Sequence, residues 1–252
     1  MRATYNPTRI VICLLGLAAI AWGVFELPLF WQEASSRSIA SRLLQGETFK
    51  TQLLLSEVQQ AEDTDRQPFC NPAMLRSLVT LRLFILNESI AAANRALVNS
   101  SYDPVYNAAR KALACAPTES FVWLTLFWLD AGKHGLDPNN ANYLRLSYAL
   151  GPNEAWIALW RIRLAFQLFE KLPPDLSGDA IDEFIMLVNT GQLYWQTAGM
   201  FRDAPPIIQN RIVAQLKTSN VTFRRAFART LHDRGVDVII PGVGTPDVRP
   251  WR

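Results

Sequence analysis

Three times between residues 71 and 138 a side chain able to cap a helix stands directly before a proline: Asn71-Pro72, Asp103-Pro104 and Asp137-Pro138. Proline is tolerated at the first helical position because the first amides of a helix have no intrahelical acceptor, and a preceding Asn or Asp accepts from those amides. Each pair predicts a helix start, and the starts fall 32 and 34 residues apart. Ala116-Pro117 and Gly151-Pro152 supply a second set of breaks, 35 apart. Laying Arg110–Leu124 on Arg145–Leu159 at that offset pairs Ala114 with Ala149, Pro117 with Pro152 and Glu119 with Glu154. A period near 34 with two helices per unit predicts an all-α stack in which each helix pair buries its apolar face against the next.

The stretch ARKALACAPTESFVWLTL, Ala109–Leu126, resembles the junction between two tetratricopeptide repeats. Small residues and a leucine close one helix, a proline follows, and an aromatic opens the next. Trp123 and Trp156 stand near that aromatic position, with Leu126 and Leu159 near the leucine after it. The match has departures: Phe127 replaces the family's small residue, and Asn139 or Asn140 its alanine. The resemblance covers roughly residues 71–172 and implies a helical-repeat solenoid that binds partner proteins through its concave face. The whole arrangement also resembles, more loosely, small membrane-anchored helical-repeat proteins associated with cell-surface polysaccharide assembly. That likeness implies a scaffold at the outer face of a bacterial inner membrane.

The membrane expectation comes from Ile10–Trp31, a 22-residue run whose one charge is Glu26. As a helix it would extend ~33 Å at ~1.5 Å per residue, against a hydrocarbon core of ~30 Å. Trp31 is placed as an interfacial anchor, and Arg2 and Arg9 precede the run without an intervening acid. The positive-inside rule then puts residues 1–9 in the cytoplasm, residues 10–31 across the membrane and the body in the periplasm. A cleaved signal peptide is the rival, since Ala19-Ile20-Ala21 reads as a cleavage site. Residues 32–70 read as a membrane-proximal helix pair broken at Gly46, with an acidic loop ending at Pro68. Beyond the repeats, residues 173–235 read as further helices, the last ending at Gly235, and residues 236–252 as an extended tail. The fold expected is thus all-α, an N-terminal transmembrane helix followed by a tetratricopeptide-like solenoid.

Composition narrows the chemistry. A net charge of +3 argues against a dedicated nucleic-acid binder. Two histidines and three cysteines are too few for an all-protein zinc or iron–sulfur site, so no metal or cofactor is expected. Outside the cytoplasm, Cys70 and Cys115 either form a disulfide or lie as two buried thiols. No nucleophile-elbow, zinc-protease or phosphate-loop motif occurs, and Gly242-Val243-Gly244 reads as a turn. His134 and His232 carry no catalytic signature. Asp179, Asp182 and Glu183 share a helical face, but acids in a first turn also stabilise a helix start. The chain is therefore expected not to be an enzyme.

Two groups are candidates for binding. Trp160, Arg161 and Arg163 close the aromatic set Phe121, Trp123, Phe127, Trp128, Trp156, Phe166 and Phe169, which otherwise suits packing between helix pairs. Between residues 202 and 234 seven cations stand against two anions, and Arg224, Arg225 and Arg229 lie off the Phe223–Phe227–Leu231 stripe. Such a basic face would attract an acidic polysaccharide or anionic headgroups. The functional expectation is a scaffold for partner proteins. Direct binding of an acidic glycan, and a structural subunit docked through residues 236–252, are the alternatives.

Overall fold

The computed structural model describes residues 7–65 and 70–244, without the side chains of residues 7, 9, 25–33, 64 and 65. Arg2, Pro68 and residues 245–252, and the side chains of Arg9, Glu26 and Trp31, lie outside the described residues. The chain is all-α and repeat-like, 79% helical, with no strand among the described residues. It forms two compact units, Met1–Pro117 and Thr118–Arg252, so the boundary falls inside the segment 71–172.

The first unit contains α1 (Pro7–Leu44), α2 (Thr51–Asp65), α3 (Pro72–Ala91) and α4 (Arg95–Cys115). The expected transmembrane helix over residues 10–31 is corrected here: no helix of the described residues is long and apolar enough to cross a membrane. The apolar run is one part of a 38-residue helix, not an element of its own. The far end of the same helix is built into the unit's core. Ala40 and Leu43 are buried there, and Leu43 packs with Leu54, Leu81 and Ile85. The Ser35 and Ser36 hydroxyls donate to the two Glu57 carboxylate oxygens, each at 3.0 Å, which satisfies a buried acid of α2. Gly46, at φ +93°, makes the turn between the two helices.

α3 starts where expected: Asn71 accepts from the Met74 amide at 3.1 Å, with Pro72 in the first position. The next start does not fall at Asp103-Pro104. α4 begins at Arg95, capped by Asn94, and Pro104 lies inside it. The real break is the turn at Ala92, Ala93 and Asn94, where Ala93 adopts φ +52° and the Asn94 amide donates to the Ser89 carbonyl at 3.0 Å. Packing of α4 along α3 outweighs the one helical hydrogen bond that Pro104 forgoes. A Cys70–Cys115 disulfide, with Cα atoms 5.8 Å apart, ties the start of α3 to the end of α4.

The second unit begins with two helical hairpins, α5 (Ser120–His134) with α6 (Pro138–Leu150) and α7 (Ala155–Gln167) with α8 (Pro174–Asn189). Their first helices begin 35 residues apart and their second helices 36 apart. Asp137 forms a capping box with Asn140, and Phe121 of α5 meets Trp156 of α7 at 5.2 Å between ring centroids. α9 (Tyr194–Asp203), α10 (Pro206–Gln215) and α11 (Val221–Asp233) gather around α8. Phe184, Phe201 and Phe227 are fully buried at that junction, with Phe227 edge-on to the other two. Just past α11, Gly235 has a φ of +71° that lets the Val236 amide return to the Leu231 carbonyl at 2.9 Å.

Candidate functional site

The structure separates the residues singled out in the sequence into an internal lock and an open groove. Arg161 belongs to the lock. It is 0% exposed, and its guanidinium reaches three other helices and the turn at Gly151. Nε donates to both Glu183 oxygens of α8 at 3.1 Å, and Nη2 pairs with the same carboxylate. Nη1 donates to the Ser147 carbonyl of α6 at 2.5 Å and lies 3.4 Å from the Ser120 hydroxyl of α5. Nη2 also donates to the Gly151 carbonyl at 3.0 Å, and the Tyr148 ring lies 4.4 Å from the guanidinium carbon.

Gly151 has to be glycine here, since a Cβ would stand 2.5 Å from the Ser120 hydroxyl. Burial raises the Glu183 carboxyl's pKa, and the Arg161 guanidinium pulls it back; burial likewise pushes the Tyr148 hydroxyl well up. Every polar arm of Arg161 is spent inside the protein, so it holds the two hairpins together and is not presented to a ligand. The suspected carboxylate pair also divides: Glu183 is buried on Arg161, whereas Asp182 is exposed and accepts from Gln215. Trp160 is half-buried and engaged within the chain. In the rest of the aromatic set, Phe121, Phe127, Phe166 and Phe169 are core residues.

Arg163, one residue beyond Ile162, faces the other way. It is exposed and lines a groove of about 710 Å³ with Phe166, Trp195, Gly199, Met200, Arg202, Asp203 and Arg234. That volume lies within the ~300–1,000 Å³ of ligand sites. Arg234, directly after α11, stacks on the Trp195 ring of α9 with its guanidinium carbon 3.8 Å from the ring centroid. Gly199, one helical turn after Trp195, makes room for it. A Cβ there would stand 3.0 Å from Arg234 Nη1.

Arg202 Nε donates to Asp203 at 2.8 Å. That bond, together with the charges of Arg202, Arg234 and Arg163, holds the Asp203 carboxyl below its usual range. Three guanidiniums around one carboxylate leave the groove positive, and Trp195 at its edge is 60% exposed.

The basic face of α11 is split as well. Arg224 bonds the Pro241 carbonyl and, with buried Ile240, secures the segment after the helix against the body. Arg225 and Arg229 are exposed. Of the arginines and Trp160 nominated for binding, Arg163 alone lines the groove, and Phe166 of the aromatic set joins it there. Arg202 and Arg234 were counted in the basic stretch 202–234 but not singled out, and Trp195 and Gly199 went unnoticed, although a tryptophan followed at i+4 by a glycine on one helix is a readable sign that something lies across that face. No group of histidine, cysteine, aspartate and glutamate among the described residues is arranged to hold a metal ion. No known family model, curated protein or solved structure matches the chain.

Proposed function

We propose that the chain is a helical-repeat binding module of tetratricopeptide-like character that holds partner proteins outside the cytoplasm, with the arginine–tryptophan groove as its contact surface. The observation that carries the reading is the preorganised Trp195–Arg234 stack over Gly199, flanked by Arg163. The stack holds a guanidinium and an indole at the rim of an open groove, and arginine and tryptophan are enriched where interfaces concentrate their energy. The Cys70–Cys115 bond supports the compartment, because disulfides persist in oxidising surroundings and are rare in the cytosol. The looser likeness to proteins of cell-surface polysaccharide assembly supplies the proposed setting.

Photocrosslinking in the native cell tests this reading. A crosslinking amino acid replaces Gln196, which lines the groove beside Trp195, and, separately, Arg225, which is exposed on α11 but does not line the groove. A discrete adduct from position 196, lost when Arg163 and Arg234 are both changed to alanine, is the expected result. An adduct from position 225 alone would place the contact elsewhere and defeat the assignment.

A further inference from the structure

The chemistry of the groove is specific enough to select its occupant. Its charge is one-sided: three guanidiniums surround Asp203, which is hydrogen-bonded to Arg202 and feels Arg163 and Arg234 only through their charge, so their donors remain for a ligand. Neither of those two forms an ion pair among the described residues. Guanidinium meets carboxylate through two parallel N–H donors, and the plane of Arg234 is already set by the Trp195 ring. Phe166, Met200, Ala204 and Pro205 contribute apolar walls between the charges, which suit an aliphatic side chain and offer little to sugar hydroxyls. The guanidinium also occupies one face of the indole ring on which a pyranose could stack.

We propose that the groove takes an acidic peptide segment carrying one aliphatic side chain, its carboxylates on Arg163 and Arg234 and the aliphatic group against Phe166 and Met200. This rests on the groove being the partner-binding surface.

The experiment is fluorescence anisotropy on the full chain with labelled peptides of alternating Glu and Leu, alternating Gln and Leu, and alternating Glu and Ser, with polygalacturonate as competitor. The Glu–Leu peptide should bind most tightly. Arg163→Ala or Arg234→Ala should each weaken it by ~10-fold or more, the scale of a charge-assisted contact. Gly199→Ala keeps every charge but displaces the Arg234 guanidinium, so weaker binding there separates a placed guanidinium from general attraction. Arg225→Ala removes a charge outside the groove and should leave affinity unchanged.

Three results overturn the proposal: equal binding of the Gln–Leu peptide, an Arg225→Ala loss as large as that of Arg234→Ala, or binding of polygalacturonate where the peptides fail. If Gln–Leu binds equally and Trp195→Ala abolishes both, the groove remains a peptide site and only acidic selection falls. If Trp195→Ala changes nothing while the native partner crosslinks from position 225, the groove assignment itself falls.

Discussion

Arg161 and Arg163 stand two residues apart on α7 and do opposite work. The first is sealed at 0% exposure among Ser120, Ser147, Gly151 and Glu183, whereas the second is exposed on the rim of a positive groove. A helix turns ~100° per residue, so a two-residue step carries a side chain to nearly the opposite face. One face of α7 is roofed by α8 and α5; the other looks towards α9 and the end of α11. The same side chain thus serves once as an internal lock and once as an exposed group on a groove that we propose binds a ligand. What separates the two roles is whether its donors are satisfied internally.

The lock should break expensively. Arg161→Met leaves the Glu183 carboxylate buried without its counter-charge and should cost ~3–5 kcal/mol, read as a fall in the urea midpoint. Changing both partners, Arg161→Met with Glu183→Leu, should recover most of that loss. If the double variant is no better than the single one, the hydrogen bonds to Ser147 and Gly151 carry the lock and not the ion pair.

The first unit has a covalent counterpart. Cys115→Ser opens a loop of 45 residues and should cost ~2–4 kcal/mol, with no effect in buffers where the wild type is already reduced. At the groove the sign changes. Gly199→Ala should raise stability by ~0.5–1 kcal/mol, since alanine is the better helix former and Arg234 can swing outward, while ligand affinity falls. A rise in thermal midpoint together with lost binding would mark this glycine as kept for the site.

Smaller effects sharpen the contrast. Arg145 of α6 donates to Asp175 of α8 at 2.7 Å and holds that carboxyl below its ordinary value. Its contribution is present above about pH 4, the unfolded value, and is lost as pH falls through the lowered folded value. Asp175→Asn should therefore lower stability at neutral pH by no more than ~1 kcal/mol, as for other exposed pairs, and the difference should vanish in acid. Arg163→Ala should change stability by less than ~0.5 kcal/mol. A larger loss would mean that Arg163 is structural after all and would erase its distinction from Arg161.

The helical architecture was legible because its signals are local. Asn71-Pro72, Asp137-Pro138 and Pro206 mark starts, Gly46 and Gly235 mark turns, and all are found where the sequence pattern puts them. The failures have physical causes too. The turn at Ala92–Asn94 contains neither glycine nor proline, so nothing in composition announced it, and the Asp103-Pro104 signal was absorbed into a continuous helix. The apolar run at Ile10 read as a span because hydropathy counts residues and not where a helix ends, and α1 continues into the core of its unit.

Sequence alone determined that the chain is a series of helices, and its expected period near 34 residues survives in the hairpins α5–α6 and α7–α8, because capping, periodicity and chain stiffness act over a few neighbours. It also settled that charge accumulates late in the chain. Only the tertiary structure decided which arginines would be consumed and which offered, since that depends on partners 22 and 41 positions away for Arg161 and on a glycine of another helix for Arg234. Side-chain identity fixes what a guanidinium can bond; only the packing of distant helices fixes whether anything inside the protein is there to bond it.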